Sequence, residues 1–359
     1  MDAPLIVIGA GGTAGHVVPA LAVADALRAQ GATVVFVGGE RAEQELVPAA
    51  GYELRTLRLA PLPRRDPPGA ARALAVDARA MVAARRVVRE LRPAATLGAG
   101  GYVAGPIGLA SAVDRVPLVL MEADSHLGLT NRLLAPLARR VCLAYPLAGR
   151  AGPRYRVTGR PGPEPATDRD AARRRFAISP QDACVLVFGG SQGARSINHA
   201  AIEAFAGARF RVLHAAGTRD LPDLHAPGPR YDLRGFISDF REAILASDLV
   251  VARSGGSIFE VAAHGRPMVL IPYPYAAADH QAENGRYFEQ AGAAVVIPDA
   301  ELTSARLAHE VGRLLAEPDR LAAMARASAG LARPHAASEI AAEVLAAARS
   351  GRSKVPLGA

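Results

Sequence analysis

Tryptophan is absent from this sequence, aromatic residues make up only 5% of it, and cysteine occurs twice in 359 residues. Cys142 and Cys184 each sit in a strand-like apolar run. That placement excludes a disulfide-stapled scaffold and a cysteine-held metal, and it reads as two buried thiols of a reducing compartment. Histidines do not cluster either, so neither a metal nor a cofactor is expected. The scarcity of aromatics, without a helix-turn-helix, zinc or RNA-binding signature, argues against nucleic acid as a partner. Long apolar runs are missing too: none reaches the roughly 20 residues that a membrane span needs. No charged-then-apolar leader opens the sequence, so a cytoplasmic protein is expected.

What the sequence does have is apolar and basic. Half of it is apolar, and its 35 glycines and 27 prolines are scattered through turns rather than gathered in a low-complexity tract. At roughly 150 residues per domain, 359 residues fit two α/β domains. The formal net charge is +8, almost all of the positive charge being arginine, which favours an anionic partner. The excess thickens between Leu62 and Arg92, where Arg64, Arg65, Arg72, Arg79, Arg85, Arg86, Arg89 and Arg92 interleave with Leu74, Val76, Met81, Val82, Val87 and Val88. Such a stretch is either an amphipathic helix with a solvated basic face or a face that meets an anionic membrane surface.

The chain is organised around Gly9-Ala-Gly-Gly-Thr-Ala-Gly-His16, which follows the apolar run Leu5 to Ile8 and opens the helical stretch Pro19 to Gln30. A strand, a glycine turn and a helix start let backbone approach a ligand closely while free N–H groups face an anion. The same residues fit the alanine-ended dinucleotide fingerprint, with Glu40 as a ribose-binding acid, so the turn alone leaves the ligand open. Strands and helices then alternate: strand Tyr52 to Leu59, basic helix Ala70 to Leu91, the turn Gly98-Ala-Gly-Gly101, strand Val116 to Met121 and helix Thr130 to Arg139. Between Gly149 and Asp168 the composition turns to Gly, Pro and Arg, the expected interdomain hinge. After it, strand Cys184 to Phe188 runs into Gly189-Gly-Ser-Gln-Gly-Ala194, repeating the opening design, and a third glycine turn follows at Arg253-Ser-Gly-Gly-Ser-Ile-Phe-Glu260. The expectation is an α/β protein of two facing Rossmann-like domains, residues 1–157 and 158–333, with ligand at the carboxyl ends of both parallel sheets. The last helix, about 334–349, is expected to pack back on the first domain.

Taken together, Gly11-Gly-Thr-Ala-Gly-His16 with Pro19-Ala-Leu-Ala22, Gly100-Gly-Tyr-Val-Ala-Gly-Pro106, Gly128-Leu-Thr-Asn131, Gly189-Gly-Ser-Gln-Gly-Ala194, Asp248-Leu-Val-Val-Ala-Arg-Ser-Gly-Gly256 and Asp279-His-Gln281 with Asn284 resemble the MurG family in order and spacing over nearly the whole chain. The resemblance implies the GT-B fold with its central cleft. It also implies transfer of N-acetylglucosamine from UDP to the C4 hydroxyl of undecaprenyl-pyrophosphoryl-N-acetylmuramyl-pentapeptide, lipid I to lipid II, by a peripheral protein on the cytoplasmic face of the cell membrane. Cell-wall and division proteins are its implied partners. On the donor side it assigns Ser191 and Gln192 to diphosphate and sugar, Ile237 to uracil through its backbone, and Glu260 to the ribose hydroxyls. Gly256, Ser257, Ile258 and Phe259 line the same turn, and His280 and Gln281 reach the donor sugar. Thr13, Ala14 and Gly15 close the cleft from the other side. His16 is the expected general base, an imidazole suiting proton transfer near neutral pH, with a loop cap or a phosphate contact as its other reading, and Glu122 is the second candidate base.

Three segments depart from that pattern. Met121-Glu-Ala-Asp124 stands where the family has His-Glu-Gln-Asn, so the substrate amide is either replaced by the Asp124 carboxylate or not used. Gly159-Arg-Pro-Gly-Pro163 stands where the family has Gly-Asn-Pro-Val-Arg, leaving Arg160 to serve the phosphate. The turn Gly255 to Glu260 is one residue shorter than in many members. Asp168-Arg-Asp170 has the spacing of the GT-A metal pair but sits at a helix start, where acids cap. Other readings remain open on sequence alone: another UDP-sugar-dependent GT-B glycosyltransferase acting on a glycolipid or natural product, a nucleotide-sugar or dinucleotide binder without transfer, and a membrane-surface scaffold.

Overall fold

A computed structural model of the chain describes residues 3–58, 67–190, 192–276 and 279–352, with backbone alone at 67–78 and 352. The chain divides into two units, Met1–Gly162 with the segment from Arg333 onward, and Pro163–Ala332. In the first, β1 (Leu5–Gly9), α1 (Ala14–Ala29), β2 (Thr33–Gly38), α2 (Ala42–Ala49), β3 (Glu53–Thr56) and α3 (Pro67–Leu91) are followed by β4 (Ala95–Gly98), α4 (Ala104–Val113), β5 (Leu118–Glu122), α5 (Leu129–Leu134), β6 (Arg140–Leu143) and β7 (Tyr155–Val157). In the second, α6 (Arg169–Arg175), β8 (Cys184–Phe188), α7 (Arg195–Ala204), β9 (Arg211–Ala215), β10 (Tyr231–Arg234) and α8 (Phe240–Ala246) precede β11 (Leu249–Ala252), α9 (Ile258–Ala263), β12 (Met268–Leu270), α10 (His280–Gln290), β13 (Ala294–Val296), α11 (Ser304–Ala316) and α12 (Pro318–Leu331). The last helix, α13 (Ala336–Arg352), belongs to the first unit.

Both sheets are parallel and share one strand order. The first runs β3-β2-β1-β4-β5-β6-β7 and the second β10-β9-β8-β11-β12-β13. The apolar run of β1 shows why the first sheet is covered on both faces. Alternate residues of a strand point opposite ways, so Ile6 and Ile8 pack with Val17, Val23 and Leu27 of α1 and Ile340 and Val344 of α13. Val7 faces Ala84 and Val88 of α3 and Ile107 of α4 on the other side. In the second unit, Val185 and Val187 of β8 pack with Ile197 of α7 and Leu307, Val311 and Leu314 of α11. In each unit the order reverses direction beside the first strand, between β1 and β4 and between β8 and β11. Open α/β sheets bind ligands at that switch point, beyond the carboxyl ends of the strands.

Several element expectations need correcting. Of the strand expected over Tyr52 to Leu59, Glu53–Thr56 forms β3 and Tyr52, Leu57 and Arg58 lie outside it, while Leu59 lies outside the described residues. The helix expected over Thr130 to Arg139 stops at Leu134, because Pro136 has no N–H for the helical ladder and the chain continues as a single tighter turn over 135–137. The basic helix begins at Pro67 rather than Ala70, since first-turn N–H groups need no helical acceptor and proline loses nothing there. Inside the expected hinge, Tyr155 to Val157 pairs with β6 as an edge strand, which its Arg and Gly neighbours concealed. Arg64 and Arg65 lie outside the described residues. Cys142 and Cys184 are free and buried, in different units, and burial pushes both thiols up to about 12. Asp168 caps α6, its carboxylate accepting from the Ala171 N–H at 2.9 Å.

Candidate active site

The switch point of the first unit brings two glycine turns into contact. A Cβ on Gly101 would lie 2.1 Å from the Gly11 carbonyl oxygen, so the turns after β1 and β4 meet backbone to backbone. Gly100 has a φ of +91°, and a Cβ there would lie 2.7 Å from Cδ2 and 3.3 Å from Nε2 of His16. Glycine is therefore required at 100 twice over, for its backbone and for the space the imidazole fills. The opposite ring nitrogen, Nδ1, lies 3.4 Å from the hydroxyl of Thr13, the residue before α1. Ala14 and Gly15 open that helix, which begins five residues before the expected Pro19 and takes His16 into its first turn. His16, Gly100 and Gly101 line a cavity of about 220 Å³ together with Glu122, Asp124, His126 and the start of α5.

Glu122 ends β5 with both oxygens engaged. Oε1 accepts from the N–H groups of Ala123 (3.0 Å) and Asp124 (3.3 Å), and Oε2 from the Gly128 N–H (2.8 Å) and the Asn131 amide (3.0 Å). Burial pushes this carboxyl above the usual carboxylate range, against the Asn131 and Gly128 bonds, which hold it down. Four donors fill the four lone-pair sites of a carboxylate, so the arrangement organises the loop from 123 to 131. Asp124 sits half-buried on that loop.

Glu43, in the first turn of α2, escaped the sequence reading. It is fully buried, and its carboxylate accepts from the Gly12 N–H at 2.9 Å and the Gly39 N–H at 2.7 Å, tying the turn after β1 to the end of β2. The only sequence signal was an acid in a helix's first turn. Arg160, expected at a phosphate, donates from Nη2 to the Gly15 carbonyl (2.6 Å) and from Nη1 to the Ala123 carbonyl (3.0 Å). Glu40, the acid of the dinucleotide alternative, is an exposed residue 3.7 Å from Arg58.

The second unit repeats the design. Ser191 lies outside the described residues; Gln192 beside it is exposed. The turn after β11 is braced from below by Arg253, which donates to the carbonyls of Ile271 and Pro272, to Ser196 Oγ (2.8 Å) and to Asp299 (2.5 Å). The Ser254 hydroxyl donates to the Gln281 carbonyl (2.6 Å), and Asn284 donates to the Ser254 carbonyl (3.1 Å). These two bonds bring the start of α10, with His280 and Gln281, to the glycine turn. Gln281 Oε1 accepts from the Tyr273 N–H (3.0 Å). Gly256, Ser257 and Glu260 are half-buried along the turn and α9, whereas the side chains of Ile258 and Phe259 point into the core and leave only their backbone near it. Ile237 is likewise buried, next to the exposed Phe236.

Beneath the turn after β8 runs a buried polar chain with no sequence motif. His214 Nδ1 is 2.7 Å from the Tyr231 hydroxyl and Nε2 is 3.1 Å from Asn198 Oδ1, while the Asn198 amide donates to the Ala216 carbonyl and to Asp220. Burial pulls the His214 imidazole down to about 4. Among the described residues, no group of three or more His, Cys, Asp or Glu is placed to hold a metal ion.

Family models match both halves, the glycosyltransferase family 28 N-terminal domain over residues 6–143 and its C-terminal domain over 184–340. The UDP-N-acetylglucosamine–N-acetylmuramyl-(pentapeptide) pyrophosphoryl-undecaprenol N-acetylglucosamine transferase of Moorella thermoacetica is 40% identical, over 96% of this chain and 100% of its own. The protein of the same name from Rubrobacter xylanophilus is 41% identical over 92% of this chain and 99% of its own. The crystal structure of Acinetobacter baumannii MurG is similar with a TM-score of 0.79 at 26% identity, covering 95% of this chain and 99% of that one. Its two parallel-sheet units have the GT-B fold, and the chain belongs to the MurG family of N-acetylglucosamine transferases.

Proposed function

We propose that this protein transfers N-acetylglucosamine from UDP-N-acetylglucosamine to the C4 hydroxyl of lipid I, giving lipid II with inversion. The observation that carries the assignment of roles is the cavity in which His16 lies against Gly100 with Glu122 and Asp124 beside it. The acceptor hydroxyl occupies this cavity. As its oxygen attacks the anomeric carbon, its proton passes to Nε2 of His16, the Thr13 hydroxyl steadying Nδ1. The bond from the anomeric carbon to the diphosphate breaks, and UDP leaves with the electron pair. Glu122 shapes the loop around the acceptor rather than taking the proton, because its oxygens already accept four bonds.

The second unit holds the donor. Glu260 accepts from the two ribose hydroxyls, Ile237 offers its backbone to uracil, Ser191 and Gln192 meet the diphosphate, and His280 and Gln281 reach the sugar. Gly256, Ser257, Ile258 and Phe259 contribute backbone at the turn, and Ala14 and Gly15 the start of α1. Fixed donors at the diphosphate stabilise the charge that grows on departing UDP.

Access to a lipid acceptor implies a membrane surface. The successive neighbours α3, α4 and α5 expose Val82, Leu109, Val113, Leu129 and Leu133, with Leu133 67% exposed, and the turn after α5 exposes Leu137, among the exposed Arg79, Arg86, Arg132 and Arg139. Apolar side chains amid arginines suit the interface of an anionic bilayer. Arg85 and Arg89 serve a different purpose, forking onto Asp114 at 3.0 and 3.2 Å and fixing α3 to α4.

The roles are tested by steady-state transfer to a lipid I analogue in EDTA. His16→Ala lowers kcat by about 10² to 10⁴-fold with little change in donor KM. Glu260→Ala raises donor KM by about 10 to 100-fold. Unchanged kcat in His16→Ala would remove the base from this account.

A further inference from the structure

Pro19 sits one turn into α1, five residues after Ala14. Its ring nitrogen carries no hydrogen, so the carbonyl four residues earlier, that of Gly15, has no i+4 helical donor. Gly15 is the residue before His16. Its carbonyl is taken instead by Nη2 of Arg160 at 2.6 Å, across 145 residues of sequence, while Nη1 of the same guanidinium holds the Ala123 carbonyl at 3.0 Å. Ala123 begins the loop that Glu122 organises through the N–H groups of Ala123, Asp124 and Gly128. The Arg160 backbone is itself anchored, because the Gly159 N–H before it donates to the Leu143 carbonyl at the end of β6 (3.1 Å).

We propose that Arg160 is a positioning residue for the transfer reaction: it occupies the carbonyl that Pro19 leaves without a helical donor, and so locks the His16 turn to the Glu122 loop across the cavity. A planar guanidinium presents two terminal donors at a fixed spacing, which lets one side chain hold both carbonyls and set their separation. Arg160 thus acts through His16 and not on the donor diphosphate. The inference rests on the proposed role of His16, and displacement of a catalytic group by about 1 Å can cost about 10²-fold in rate.

The test is a double-mutant cycle, since Pro19→Ala returns an N–H to the Gly15 carbonyl from within the helix. In the parent background, Arg160→Ala lowers kcat by about tenfold or more with donor KM within about twofold. In the Pro19→Ala background the same substitution costs at most about a third of that factor. Pro19→Ser supplies the same N–H should the alanine variant misfold. Equal losses in both backgrounds, no loss in either, or a raised donor KM at constant kcat each overturn the proposal, the last by returning Arg160 to the phosphate. Amide hydrogen exchange gives a readout that does not depend on turnover. Val17 donates to the Thr13 carbonyl within this turn, so its exchange quickens in Arg160→Ala and slows again in Pro19→Ala/Arg160→Ala. Unchanged exchange overturns the lock even if no acceptor is glycosylated, whereas coupled exchange in a protein that does not transfer to lipid I faults the reaction and not the lock.

Discussion

His214 shows what a single buried imidazole does to the acid stability of the second unit. An unfolded histidine titrates near 6.5, while burial beside Tyr231 and Asn198 brings this one to about 4. Between these values the unfolded chain takes up a proton that the folded chain refuses. Its neutral packing therefore stabilises fully above pH 6.5, and that contribution is lost as the pH falls toward 4, a change of about 3 kcal/mol. Denaturant unfolding of the parent and His214→Gln from pH 7.5 to 4.5 checks this: the stability gap narrows on the acid side, and parallel profiles would refute it. Nothing in the sequence marked His214, because its partners Asn198 and Tyr231 become neighbours only once β9 has paired with β8 and β10. His16 was legible for the opposite reason, since the glycine turn that places it is local. Arg160 was noticed for a phosphate, whereas its bonds to the Gly15 and Ala123 carbonyls, on segments far from it in sequence, were not legible.

At the scale of the element, the turns are held by acids lying on neighbouring segments. Glu43 on α2 satisfies two N–H groups, of Gly12 and Gly39. Glu43→Ala strands the Gly39 donor in a buried place and the Gly12 donor in a half-buried one, at a cost of about 2 to 4 kcal/mol. The thermal midpoint then drops by several degrees and kcat falls with it, because the turn it releases carries His16. A midpoint within a degree of the parent would show that Glu43 has no such hold on the turn. The alternation of strands and helices was readable because parallel strands buried on both faces are short apolar runs bounded by glycine. Boundaries were less so: Pro136 ended α5 early, and β7, with only Val157 apolar among its three residues, carried no strand pattern of its own.

At the scale of the molecule, one strand order built twice gives two glycine-lined switch points, one in each unit of a chain that belongs to a family of N-acetylglucosamine transferases. No helix among the described residues is long and apolar enough to cross a membrane; the proposed membrane contact rests on the exposed leucines and valines among arginines. Binding of the protein to anionic vesicles weakens as salt rises, and Leu129→Glu with Leu133→Glu lowers it at every salt concentration. Binding that is absent in the parent, or unmoved by the leucine substitutions, would contradict that surface. The most direct test of the whole account is transfer of labelled N-acetylglucosamine by the parent protein from its UDP donor to a lipid I analogue. The account predicts label in lipid II with release of UDP; a protein that binds UDP-N-acetylglucosamine yet leaves lipid I unglycosylated would contradict it.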